Sequence, residues 1–107
     1  MSLNSKNKGN HFEQQMVLRL KDVFPYVHTC RYTGNLFMDE NKVDLTGTDP
    51  FYFQCKAQER TIPYHTILKQ MPQTNNINVV LHKRNNSGVV AVLDLEDLLQ
   101  LIKKNQK

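Results

Sequence analysis

The run Phe51-Tyr-Phe-Gln-Cys-Lys-Ala57 constrains the fold more than any other stretch of this chain. Rich in aromatic residues and preceded by the turn-forming Gly47-Thr-Asp-Pro50, it predicts a strand. Successive side chains on an extended strand point to opposite faces. Phe51, Phe53, Cys55 and Ala57 then share an apolar face, while Tyr52, Gln54 and Lys56 share the other. An oxygen donor and an ammonium therefore stand side by side over a sheet. A second short strand is expected over 42–46, with Val43 and Leu45 facing one way and Asp44 and Thr46 the other.

The rest of the chain supplies elements to flank that sheet. Residues 1–9 are polar, basic and aperiodic, and read as a flexible basic arm, leaving 10–107 as a single domain. Asn10 and Glu13 have the spacing of a capping box at a helix start. Phe12, Met16, Leu20 and Phe24 follow as an apolar stripe that Pro25 ends, with Val17 and Val23 beside it. A strand is expected over 28–33, then a turn at Gly34-Asn35. Pro63 suits the first turn of a second helix with Ile67, Leu68 and Met71 inward. Strands over 77–82 and 89–93, joined by Asn85-Asn-Ser-Gly88, form a hairpin. Asp94 caps a last helix whose Leu95, Leu98, Leu99 and Ile102 are expected to form a core stripe. The order αβββαββα implies an α/β fold, one mixed sheet flanked by helices.

Composition narrows the partners. A chain of 107 residues forms one domain, and its net charge of +4 favours an anionic partner, nucleic acid above others. Cys30 and Cys55 make no CxxC pair and the four histidines have no zinc-site spacing. Cys55, alternating with phenylalanines, reads as a small buried hydrophobe. No glycine-rich phosphate loop, nucleophile elbow or dinucleotide fingerprint occurs, so no nucleotide cofactor is expected. No apolar run approaches the length of a membrane span. With two cysteines and no secretory leader, a soluble protein of the reducing cytoplasm is expected.

Asp44, Gln54 and Lys56, brought together on neighbouring strands, can hold a magnesium ion and a water beside a phosphodiester. The alternative for each is a solvated surface position, and for Glu13 a capping role that needs no metal.

These residues, in this order of elements, resemble the PD-(D/E)XK nuclease superfamily, most nearly the small Holliday-junction resolvases and related phage endonucleases. Over roughly 6–93, Lys6, Lys8 and Gly9 followed by Glu13 match the family's N-terminal segment, with Glu13 as the helix glutamate that reaches the metal. Asp44 matches the motif aspartate, Gln54 the (D/E) position and Lys56 the lysine. The resemblance implies a restriction-endonuclease-like fold and Mg²⁺-dependent hydrolysis of DNA, with Mn²⁺ able to substitute. Asp44, Gln54 Oε1, the Cys55 backbone carbonyl and Glu13 are the implied ligands, and a twofold homodimer the implied assembly. If phage-encoded, the protein would work in the host cytoplasm, in DNA recombination.

Two departures stand out. Val43 precedes Asp44 where the pattern has proline, and Gln54 replaces a carboxylate. An amide oxygen still binds a hard cation but brings no charge. The gross attraction between unit charges about 4 Å apart is about 4 kcal/mol at an effective dielectric of about 20, before desolvation. The site is therefore expected to bind metal more weakly than one with a second acid. Lys6, Lys8, Arg31, Lys69, Lys83 and Arg84 are candidate phosphate contacts, and each read alone is a surface cation. Tyr64 and His65 lie in the second helix without an assigned role. The alternatives to a structure-selective endonuclease are a DNA-binding module with a weakened metal site and a restriction- or repair-type nuclease.

Overall fold

A computed structural model describes residues 5–30 and 42–106; for residues 5–7 it describes the backbone alone. The elements are α1 (Ser5–Leu20), β1 (His28–Thr29), β2 (Leu45–Thr46), β3 (Phe51–Ala57), α2 (Tyr64–Gln70), β4 (Ile77–Lys83), β5 (Val89–Val92) and α3 (Leu95–Asn105). The fold is α/β, with one five-stranded mixed sheet in the order β1-β2-β3-β4-β5 and three helices among the described residues. Only β3 and β4 are parallel; the other neighbours are antiparallel. The parallel pair is the one joined through a helix, α2, as a parallel connection requires.

The strand predicted over 51–57 forms with those bounds, and its two faces part as the alternation requires. Phe51, Phe53, Cys55 and Ala57 pack with Phe12 and Met16 of α1 and with Ile77, Val79 and Leu81 of β4. Phe24, just past α1, meets Phe51 and Phe53 edge-on, each at 6.0 Å between ring centroids. Edge-to-face contact places the positive rim of one ring on the negative face of another. On the opposite face Tyr52 joins Ile62, Ile67, Met71 and Val80 in a second cluster beneath α2. Burial of both faces makes β3 and β4 the centre of the domain. Gln73 Nε2 donates to the carbonyls of Leu68, Lys69 and Met71, satisfying groups that the end of α2 leaves open.

Gly47 closes the turn before β3 at φ +78, and a Cβ there would run into the Tyr26 carbonyl. The backbone after α1 thus lies directly against this turn. Lys42, with φ 65, opens the segment leading to β2.

Several boundaries differ from the sequence expectation. α1 begins at Ser5, so residues 5–9 of the expected arm are helical and Asn10 lies inside the helix instead of capping it. The polar residues 5–9 carry no apolar stripe, so periodicity gives no sign that they continue the helix. α1 also ends at Leu20, and a turn carries the chain to Phe24, whose N–H donates to the Leu20 carbonyl at 2.7 Å. β2 is confined to Leu45 and Thr46. Of the strand expected over 28–33, only His28 and Thr29 are extended and Cys30 is helical; Arg31 and the Gly34-Asn35 turn lie outside the described residues.

The largest correction concerns α3. Asp94 caps it as expected, its Oδ1 accepting from Glu96 N–H at 2.9 Å. The expected core stripe, however, faces outward: Leu95 is 63% exposed, Ile102 43%, Leu99 40% and Leu98 39%. Leu101, one position off that stripe, is the α3 residue that packs against the main core. Periodicity identified an apolar face, but the direction that face takes is set by how the helix leans on the sheet.

Candidate functional site

The site is built where β2 stops and β3 continues. Pairing between them is recorded at Leu45 and Phe53, and Asp44 comes immediately before Leu45. Its backbone is held on both sides, the N–H donating to the Phe53 carbonyl at 2.8 Å and the carbonyl accepting from Cys30 N–H at 2.9 Å. The Asp44 carboxylate then takes the next amide along β3: Cys55 N–H donates to Oδ2 at 2.7 Å. A side-chain carboxylate thus stands where β2 would otherwise have supplied a main-chain carbonyl. Because the N–H and C=O of one strand residue point to the same edge, the Cys55 carbonyl is directed toward this same seam.

Gln54 and Lys56 occupy the face beneath α2. Each is in register with a β4 neighbour, Gln54 with Val80 and Lys56 with His82. Gln54 is buried at 6% exposure, and its Oε1 makes no hydrogen bond. The open, solvated reading of Gln54 is therefore wrong: its β4 neighbour Val80 belongs to the second cluster, so that face of the sheet is covered. An orphaned buried oxygen is uncommon and carries a desolvation penalty of about 1–3 kcal/mol. Lys56 is half-buried two residues further on.

Glu13 approaches from the other side. It is 6% exposed on the helix whose Phe12 and Met16 cover the Cys55 face of β3. Since Asn10 is no cap, the capping-box account of Glu13 fails, and its burial has another cause. The Cys55 thiol is pushed well above its ordinary range, first by burial and then by the negative charges of Asp44 and Glu13, with Cys30 adding to them. Both acids thus converge electrostatically on Cys55, which stays protonated and apolar in character. The structure brings Asp44 to the Cys55 backbone at the seam, with Gln54 and Lys56 flanking Cys55 along β3 and sharing its other face. It sets Glu13 on the opposite side of β3 from the Gln54 and Lys56 side chains.

The donors fit a hard cation in part. A carboxylate, an orphaned amide oxygen and a main-chain carbonyl are oxygen ligands of the kind magnesium takes. Among the described residues no group of three or more His, Cys, Asp and Glu side chains is arranged to hold a metal.

Sequence reasoning left Tyr64 and His82 without a role. The Tyr64 hydroxyl lies 2.7 Å from His82 Nδ1, and His82 Nε2 lies 2.8 Å from the Gln58 carbonyl. A carbonyl only accepts, so Nε2 donates to it, and in the neutral ring Nδ1 accepts from Tyr64. This chain fastens α2 to the end of β3 just past Lys56. No spacing rule links positions 64 and 82, which become neighbours only through the β3–α2–β4 crossover.

The candidate phosphate contacts separate into groups. Lys8 and Lys83 line one hollow of about 170 Å³, together with His11, Gln15, Ala57 and Asn85. Lys69 lines a different hollow, of about 300 Å³, whose wall includes Asp94 and Asp97. Arg84 is exposed beside Lys83, while Arg31 and the Lys6 side chain lie outside the described residues. No described helix is long and apolar enough to cross a membrane. Comparison with protein-family models, curated proteins and solved structures finds no match to this chain.

Proposed function

We propose that this protein is a metal-dependent DNA endonuclease with a restriction-endonuclease-like fold, selective for branched DNA in the manner of a Holliday-junction resolvase. One observation carries the reading: Asp44 is fastened to the amide of Cys55, the residue between Lys56 and Gln54, whose buried Oε1 has no partner. The orphaned amide oxygen of Gln54 satisfies no hydrogen bond in the fold, yet a carboxylate and an amide oxygen are ligands that a hard cation takes.

Asp44, Gln54 Oε1 and the Cys55 carbonyl are the groups to hold Mg²⁺ or Mn²⁺, with Glu13 as an outer carboxylate. When bound, the ion supplies polarisation of the scissile phosphate and acidification of a water. Lys56 orients that water and offsets the charge that develops on phosphorus. Lys8 and Lys83 hold the DNA backbone through phosphates, which fixes position without reading sequence.

A second reading rests on two particulars. Gln54 brings no charge, and Glu13 lies across β3 from Gln54 and Lys56. Both favour a DNA-binding module that keeps the architecture and has a weakened metal site. Incubation of the protein with a labelled four-way junction, a flap and a linear duplex in Mg²⁺ or Mn²⁺ decides between them. The endonuclease cuts a branched substrate, and Lys56→Ala abolishes cutting while binding persists. Binding without cleavage in either ion establishes the module instead.

A further inference from the structure

We propose that α3 pairs with α3 of a second copy of this chain, antiparallel about a twofold axis. The starting observation is a helix with no buried residue that nonetheless carries a leucine-rich stripe. At about 100° per residue, Leu95, Leu98, Leu99 and Ile102 fall within about 100° of arc. Leu101, the contact with the domain's own core, sits about 110° round from the centre of that arc. The stripe is therefore turned away from the sheet by the same packing that anchors the helix. Such a contiguous apolar strip on a charged helix marks an interaction surface.

Charge selects the occupant. The first turn of α3 carries Glu96 and Asp97, and the last carries Lys103 and Lys104. Glu96 and Lys103 are seven residues apart, so both lie on one flank of the stripe, the flank away from Leu101. An antiparallel copy sets Leu95 against the partner's Ile102 and Leu98 against the partner's Leu99. The same register brings Glu96 toward the partner's Lys103, and symmetry repeats that contact at the other end. The helix dipoles then run head to tail alongside each other, which is also favourable. A parallel pair would turn the flank carrying Glu96 and Lys103 toward the partner's other flank, so Glu96 would not meet the partner's Lys103. The surface is thus complementary to itself in one orientation, as a closed twofold interface requires.

The inference does not depend on nuclease activity. Sedimentation equilibrium and light scattering of the full chain over a range of concentrations test it. The expected result is a reversible dimer. Leu99→Glu, at the middle of the stripe, yields a monomer whose circular dichroism is unchanged. Glu96→Lys alone raises the dimer Kd roughly tenfold, by losing two contacts and creating two repulsions. Adding Lys103→Glu to it restores the wild-type value, a rescue that no loss of folding can mimic. A chain that is monomeric at every concentration overturns the proposal. So does a dimer indifferent to Leu99→Glu, or a double variant no tighter than the single one.

Discussion

The Asp44 carboxylate accepts a hydrogen bond from the Cys55 backbone amide at 2.7 Å, across the point where pairing between β2 and β3 ends. This contact makes one side chain both a structural substitute for a strand and the acid of the candidate site. The two roles come apart on substitution. Asp44→Ala leaves the Cys55 N–H without its acceptor and is expected to lower stability by about 1–3 kcal/mol. Asp44→Asn keeps an acceptor oxygen and removes the charge, so stability falls less while metal binding is lost. Urea denaturation and titration calorimetry with Mn²⁺ check the pair. Equal loss of stability in both variants would mean that the charge, not the hydrogen bond, holds the seam.

Gln54 is expected to show the opposite pattern. Its buried Oε1 has no partner, so Gln54→Met, similar in volume and without the unpaired amide, should hold or raise stability by about 1 kcal/mol. The same change should abolish metal binding, whereas Gln54→Glu should tighten it. A stability gain joined to a functional loss is what a group kept for binding displays. Unchanged metal affinity in Gln54→Glu, measured by calorimetry, would remove Gln54 from the ligand set.

Cys55 imposes a pH dependence whose sign follows from its raised thiol. In the unfolded chain the thiol ionises in its ordinary range, while in the folded chain it holds its proton to higher pH. Above the ordinary thiol range the unfolded state therefore binds fewer protons, and stability falls as pH rises toward the folded value. Below that range the contribution is fully present. Cys55→Ala should flatten this alkaline decline, and Asp44→Asn should reduce it by removing one of the charges responsible. Denaturation midpoints from neutral to alkaline pH measure both. At neutral pH the native thiol should resist alkylation, since only the thiolate reacts readily.

Phosphate contact should divide the lysines by the hollow they line. Lys8→Ala and Lys83→Ala are each expected to weaken DNA binding across all sequences and to reduce the salt slope by about 1. Lys69→Ala, beside Asp94 and Asp97, should change little because neighbouring carboxylates already oppose a phosphate there. Fluorescence anisotropy over a range of salt concentrations separates the two groups. An effect of Lys69→Ala equal to that of Lys83→Ala would place the nucleic acid on the other hollow.

Element order and the strand at 51–57 were legible in the sequence because a period of two with aromatic residues is a local signal. The same alternation assigned Gln54 and Lys56 to one face and Cys55 to the other. Asp94 was legible as a cap because its partner, Glu96, is two residues away. What failed was less local. Asn10 and Glu13 match a capping pattern, but the helix extends five residues beyond it, and a pattern of four residues cannot exclude that continuation.

Local chemistry in this sequence determined which segments extend, which coil, and which faces are apolar, because those preferences act between near neighbours along the chain. Only the tertiary structure decided which face is covered and by what. Gln54 became a buried orphan because its face of the sheet is covered, and the α3 stripe became a surface because Leu101 turns that helix inward. Tyr64 and His82 meet because a parallel crossover brings distant segments together. Burial and such contacts depend on groups far apart in sequence, and their geometry exists only once the sheet has formed.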